Sequence, residues 1–177
     1  QEYGPAVLAL ANMPKITIAA VNGFAAGIGV GYALACDLLV MGEGAFLQVP
    51  FNRIGLVPDG GVCWQMVQRL GYRRALELSL EGERIPAARC VELGLANRAV
   101  PDAQVLSAAL DWAGRIAQGA PLALRGTKQV MRRAATSTLA QTISDEAHAQ
   151  APCVGSADFR EGVTAFLQKR AAKFTGR

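Results

Sequence analysis

Histidine is nearly missing from this chain of 177 residues: His148 stands alone, in a polar stretch with no Asp or Ser at catalytic spacing. A histidine general base is therefore not expected. The four cysteines (Cys36, Cys63, Cys90, Cys153) lie far apart and form no CxxC pair, which excludes a zinc knuckle and a dense disulfide framework. They read as buried free thiols of a cytoplasmic protein without activating neighbours, and no metal site is expected. Charge is scarce too. Charged residues make up 18% of the chain against 51% hydrophobic, with a mean hydropathy of +0.22, which is too apolar for a disordered chain. There is no internal repeat, low-complexity segment or Gly/Ser/Pro-rich linker. The first residue is Gln1, and no basic stretch followed by an apolar one marks a signal peptide.

What is present is uneven. Residues 1–60 carry 2 basic and 4 acidic residues, whereas residues 61–177 carry 16 and 10, so the net charge of +4 resides in the back half. The longest uncharged run, Ile16 to Cys36, is long enough to raise the question of a membrane span. Asn22-Gly23 interrupts it and Asp37 follows it, so it reads instead as a buried parallel strand (Ile16–Val21), a turn and a close-packed helix (Ala25–Ala35). With a second strand at Asp37–Met41 this makes a right-handed crossover unit.

Phe46 to Pro58 reads as irregular, Gly60-Gly61 as the start of a helix to about Leu80, and Asn97–Val100 as an edge strand. Beyond it the pattern is helical only, with Pro152 as a break, Ser156 as an N-cap, and Val163, Phe166, Leu167 and Phe174 as the last apolar face. The expected division is an α/β core over residues 1–103 and a helical region over 104–177. Trp64, Trp112, Tyr32 and the methionines read as core.

Gly27-Ile28-Gly29-Val30-Gly31 sits where a strand gives way to a helix. It is not a dinucleotide fingerprint, because Tyr32 stands where GxGxxG needs glycine. Bare backbone N–H groups at a helix N-terminus favour negative charge and can form half of an oxyanion hole. Glycines that pack a helix onto a sheet account for the same pattern. Asp59, ahead of another helix N-terminus, is either a helix cap or a base among the apolar residues Phe51, Ile54, Leu56 and Val57. Arg125, Lys128, Arg132 and Arg133 form a cationic cluster, but no aromatic interleaving accompanies it and no nucleic-acid partner is expected.

Lys15-Ile-Thr-Ile-Ala-Ala-Val-Asn-Gly-Phe-Ala-Ala-Gly-Ile-Gly-Val-Gly-Tyr-Ala-Leu-Ala-Cys-Asp37 resembles the signature stretch of the enoyl-CoA hydratase/isomerase (crotonase) superfamily. Arg53-Ile-Gly-Leu-Val-Pro-Asp-Gly-Gly61, Arg69–Tyr72, Leu80–Ala87, Gly94–Asn97 and Asp158–Arg170 follow in the family's order and approximate spacing. The resemblance implies an α/β crotonase-like fold of stacked ββα units with a C-terminal helical trimerisation region. It implies an acyl-CoA thioester as substrate, with no cofactor beyond the coenzyme A of that substrate, and a homotrimer or dimer of trimers.

By the same resemblance one oxyanion donor falls at Ile28, in place of the usual middle glycine, beside Gly29, with Ala26, Gly27 and Phe51 as further substrate contacts. The family's other donor precedes the signature strand, on a stretch outside this sequence. Of the two glutamates that hydratases use, the first aligns with Gly31 and the second with Pro50 or Phe51, so neither is a carboxylate here. Asp59 resembles the single acid of the enoyl-CoA isomerase branch, including the phenylacetate-pathway group. Phe166 and Lys169 resemble the aromatic and lysine that contact the adenine and phosphates of CoA, and on one helix they would share a face at i, i+3.

Overall fold

In the computed structural model, which describes residues 3–177, helix α1 (Gly4–Asn12) leads into strand β1 (Ile18–Val21). The uncharged run is divided among β1, strand β2 (Phe24–Ala26) and helix α2 (Ile28–Ala35). Among the described residues no helix is long and apolar enough to cross a membrane. The helix expected from Ala25 starts three residues later. Ala25 and Ala26 are extended because they pair with Leu47 and Gln48 of strand β4 (Phe46–Gln48), and sheet pairing overrides alanine's helix preference.

The motif β1–β2–α2 recurs as β3 (Leu38–Gly42), β4 and α3 (Val62–Glu81), each giving its first strand to one sheet and its second to the other. Strand β5 (Arg84–Pro86), helix α4 (Ala87–Glu92) and strand β6 (Arg98–Val100) complete the set. One sheet has the order β1-β3-β6, all parallel, and the other β2-β4-β5, with β5 antiparallel. Thr17 and Asp37 fix the first register: the Thr17 amide and hydroxyl donate to Asp37 Oδ2 at 2.8 and 3.0 Å, and Ile18 then stands opposite Leu38. Helix α3 kinks at Gly71, whose φ of +71° and ψ of 163° are not helical.

Every member of the apolar core cluster lies between Val30 and Ala96, including Leu34, Met41, Leu47, Met66, Ile85 and Cys90. Each such side chain contributes about 1.5–3 kcal/mol when fully withdrawn from water. Met41 and Met66 are core as expected, whereas Trp64, Met13 and Met131 are exposed and Tyr32 and Trp112 half-buried. Of the cysteines, all free, only Cys90 is buried; burial pushes its thiol up to about 11. Cys63 is exposed and Cys153 half-buried, because helical periodicity carries them off the core face, and Cys36, extended just past the end of α2, is half-buried.

The chain forms two compact units: the part up to Met13 with Thr17–Asp111, and Pro14–Ile16 with Trp112–Arg177. The division falls within helix α5 (Val105–Ile116). In the second unit, helices α6 (Pro121–Ala134) and α7 (Leu139–Val154) pack together, close enough at Gly126 that an added Cβ would lie 3.5 Å from Ala149. Thr138 and Gln141 form a capping box at the start of α7. Pro152 does not break α7. It sits in the last turn, and the helix runs on to Val154. Ser156 caps helix α8 (Ala157–Leu167), its hydroxyl accepting from Phe159 N–H at 3.0 Å.

Candidate active site

The turn from β2 into α2 is made possible by one residue. Gly27 has φ +55° and ψ −124°, a conformation closed to side-chain-bearing residues, and its N–H donates to the Gln48 carbonyl at 3.0 Å. That bond ties the entry of α2 to β4 and commits the Gly27 amide to the sheet. Ala26, paired with Gln48, ends β2. Ile28 and Gly29, both half-buried, are the first two residues of α2, whose N–H groups the helical ladder does not satisfy. Their amides lie at the positive end of the helix dipole.

Phe51 is 7% exposed and opens a 3-10 turn (Phe51–Ile54); its ring would lie 3.7 Å from a Cβ at Gly27. The turn is pinned to the end of α3. Asn52 Nδ2 donates to the Leu80 carbonyl, Arg53 to the Glu81 carbonyl at 3.2 Å and to the Glu83 carboxylate, and Gln48 Nε2 to Gly82 at 2.9 Å. The position of the second hydratase glutamate is thus filled by a buried ring or by Pro50 beside it.

Gly31 holds the other surprise. A Cβ there would come within 2.9 Å of the Gly60 carbonyl oxygen and 3.5 Å of Val62. A Cβ at Gly60, φ +57°, would overlap the Cδ1 of Ile28. Positions 28 and 31 lie one turn apart on the same face of α2, so the peptide at Gly60 is seated across that face. Gln65, buried, reinforces the seat by donating from Nε2 to the Gly31 carbonyl at 3.0 Å, and Arg69 donates to the carbonyls of Gln65 and Leu34. The glycine repeat expected to lay a helix on a sheet serves at Gly31 to admit a loop. The roles of Gly60, Gln65 and Gln48 escaped the sequence reading, which took Gly60 only as part of a helix start.

Asp59 precedes that seated glycine. It does not cap α3: the N-cap is Gly61, with no side-chain capping bond, and only the Asp59 carbonyl is used, accepting from Val62 N–H at 3.1 Å. Its carboxylate is solvent-exposed. The apolar pocket expected around it is not closed in this chain, because only Phe51 is buried while Ile54, Leu56 and Val57 face solvent.

In the second unit Phe166 is 82% exposed and so is not core. Helix α8 ends at Leu167, and Lys169 lies past it with φ +54°, the one described non-glycine residue with positive φ. The expected shared helix face of Phe166 and Lys169 is therefore not formed. The end is a Schellman motif: Lys169 N–H donates to Phe166 at 3.1 Å and Arg170 N–H to Ala165 at 3.0 Å. Glycine is usual at this position; lysine there stores about 1 kcal/mol of strain or more, and such strain is worth a functional question.

Beyond it the chain folds back. Arg170 forks onto Glu161 at 2.6 and 2.8 Å, Lys173 N–H adds a third bond to Glu161, and the buried Asp158 accepts from the amides of Thr175 and Gly176. The Arg170 hydrogen bonds, helped by the Lys173 amide, hold the Glu161 carboxyl down at about 2. Phe174, expected on the helix, instead sets its ring 3.5 Å from where a Gly162 Cβ would be. With Val163, Phe166 and Leu167 it lines an apolar cavity of about 420 Å³.

The cationic cluster on α6 does not face solvent as a whole. Lys128 is buried and donates to the Lys15 carbonyl at 2.8 Å, and Arg133 pairs with Asp145 at 3.5 Å. Among the described residues no group of three or more His, Cys, Asp or Glu is placed to hold a metal ion. His148 is exposed, its Nδ1 2.6 Å from the Ser144 carbonyl.

Two sheets sharing repeated ββα units, with a left-handed glycine opening a helix that carries a glycine loop on its face, define an α/β protein of the crotonase fold. The chain belongs to the enoyl-CoA hydratase/isomerase family, whose model matches residues 1–177. It is 38% identical over its whole length to the probable enoyl-CoA hydratase of Rhodobacter capsulatus, covering 69% of that protein. It is 37% identical over 99% of its length to the 1,2-epoxyphenylacetyl-CoA isomerase of Escherichia coli, covering 67% of it. The crystal structure of an enoyl-CoA hydratase from Polaromonas sp. JS666 superposes with a TM-score of 0.94 at 36% identity, over 98% of this chain and 67% of that one. The chain thus spans about two thirds of the length of these relatives.

Proposed function

We propose that this protein is cytoplasmic and isomerises an enoyl-CoA, with Asp59 as the base and the Ile28 N–H as one donor to the thioester oxygen. In a 3-enoyl-CoA the carboxylate of Asp59 takes the proton from C2, the C2–H electron pair enters the thioester to give a dienolate, and the negative oxygen is held at the first turn of α2. The same proton returns at C4, leaving the double bond between C2 and C3. One carboxylate suffices, and no electrons are gained or lost. The observation that carries this reading is an uncapping Asp59 on a loop seated against α2, in a chain that by resemblance has Gly31 and Pro50 or Phe51 at the two hydratase positions.

Phe166 and Lys169 bind the adenine and phosphates of CoA, from their own or a neighbouring subunit, in a homotrimer or a pair of trimers. The exposed Phe159, Val163, Phe166 and Leu167 support that assembly. A hydratase is the second reading, favoured by relatives of that name. The test is conversion of a 3-enoyl-CoA to the 2-enoyl isomer beside hydration of a 2-enoyl-CoA, in the full-length protein and its Asp59→Asn variant. Loss of isomerisation with CoA affinity retained supports the proposal. Efficient hydration together with unimpaired isomerisation by Asp59→Asn overturns it. Absence of both activities in the full-length protein makes it a CoA-binding subunit instead.

A further inference from the structure

Few contacts hold the loop that carries Asp59. From Gly55 to Gly61 the chain has three glycines with φ of +73°, +57° and +78°, and its apolar residues Leu56 and Val57 face solvent. The Val62 N–H on the Asp59 carbonyl and the Cys63 thiol on the Pro58 carbonyl, 3.7 Å away, secure it from the α3 side. On the other side the wall is α2, where Gly31 lets the Gly60 carbonyl approach and the Ile28 side chain fills the space that a Gly60 side chain would take. Val7 Cγ2, 3.9 Å from that same point, is the next nearest neighbour.

We infer that the Ile28 side chain is a positioning element for Asp59, so that one residue sets both ends of the reaction: its amide faces the thioester oxygen and its Cδ1 braces the loop that holds the base. This deepens the isomerase reading and rests on it. A glycine at position 28 keeps the donor and removes the brace. The carboxylate then samples positions away from C2 and C4, and proton transfer slows while binding and enolate stabilisation persist. Because a base displaced by about 1 Å costs up to about a hundredfold in rate, even partial loosening is measurable.

Two readouts separate the brace from the donor in the full-length protein: steady-state isomerisation of 3-hexenoyl-CoA, and the ultraviolet absorption of the enolate of bound acetoacetyl-CoA, which reports the oxyanion site alone. Ile28→Gly is expected to lower kcat about tenfold with KM nearly unchanged and the enolate signal retained. Ile28→Leu, which restores a terminal methyl near Gly60, is expected to recover most of kcat. Ile28→Pro removes the donor as well as the brace. Proline is accepted at the first helical position but has no N–H, so it should erase the enolate signal.

Parent-like kcat in Ile28→Gly, with Asp59→Asn inactive, overturns the inference and leaves the isomerase reading standing. Equal loss of kcat and enolate signal in Ile28→Gly also overturns it, since the side chain would then act on the donor. If Ile28→Gly fails to fold, Ile28→Val takes its place, with the same split expected at smaller size and a parent-like kcat overturning the inference. An active Asp59→Asn removes the isomerase reading itself, and the inference with it.

Discussion

The two units of the chain differ in what they bury, while both expose large apolar side chains. In the first, Val30 to Ala96 enclose a continuous core, and beside it lie a left-handed glycine, a helix first turn and a glycine seat. In the second, the buried set includes Lys128, Ser156 and Asp158, while Leu139, Ile143, Phe159, Val163, Phe166 and Leu167 stand exposed. Under the proposed function, rate belongs to the first unit, and affinity and assembly to the second.

That division breaks most sharply at Asp59 and Phe166. Asp59→Asn is expected to lower kcat by about a hundredfold to ten-thousandfold with little change in CoA affinity, because the amide keeps the shape and cannot take the proton. Phe166→Ala is expected to do the reverse, raising KM and weakening self-association while kcat stays near parent. Kinetics and sedimentation velocity of both variants check this. A kcat loss in Phe166→Ala equal to that in Asp59→Asn would erase the division.

Gly31→Glu places a carboxylate at the first hydratase position. The atom it meets is the Gly60 backbone carbonyl, which has no rotamer to change, so the variant is expected to lose about 1–3 kcal/mol of stability in thermal unfolding and to gain no hydration. A smaller change of the opposite sign is expected at Lys169. Glycine relieves the left-handed conformation, so Lys169→Gly should gain at most about 1 kcal/mol of stability while losing CoA affinity and the salt dependence of binding. A stabilised variant that binds as well as the parent would mean that the strain serves no ligand.

The smallest effect concerns Glu161. Its carboxyl lies at about 2 in the folded chain against an ordinary 4.5, so its contribution is present above 4.5 and is lost as pH falls from there toward 2. Glu161→Gln should flatten acid unfolding in that window, and added salt should shrink the difference, since the pair is exposed to solvent.

The first unit was far more legible than the second. Local patterns announced the signature strand, the turn into α2, the edge strand at β6 and the Ser156 cap, because each depends on residues a few positions apart. The seat of Gly60 on Gly31 joins residues 29 positions apart, and bare glycine spacing cannot say which loop will use the space it leaves. Trp64 reads as core by residue type, yet its place on α3 turns it to solvent. Lys169 and Phe174 were misplaced for one reason: an amphipathic pattern does not show where a helix stops when lysine, not glycine, takes the left-handed position at its end.

The central claim is that one carboxylate moves one proton. Isomerisation of a 3-enoyl-CoA carrying deuterium at C2, run in ordinary water and analysed by mass spectrometry and NMR at C4, tests it most directly. Asp59 as the sole shuttle predicts deuterium at C4 of the product above the solvent background, with both the transfer and the turnover lost in Asp59→Asn. Product whose C4 hydrogen comes wholly from solvent, formed as fast by Asp59→Asn as by the parent, would contradict it.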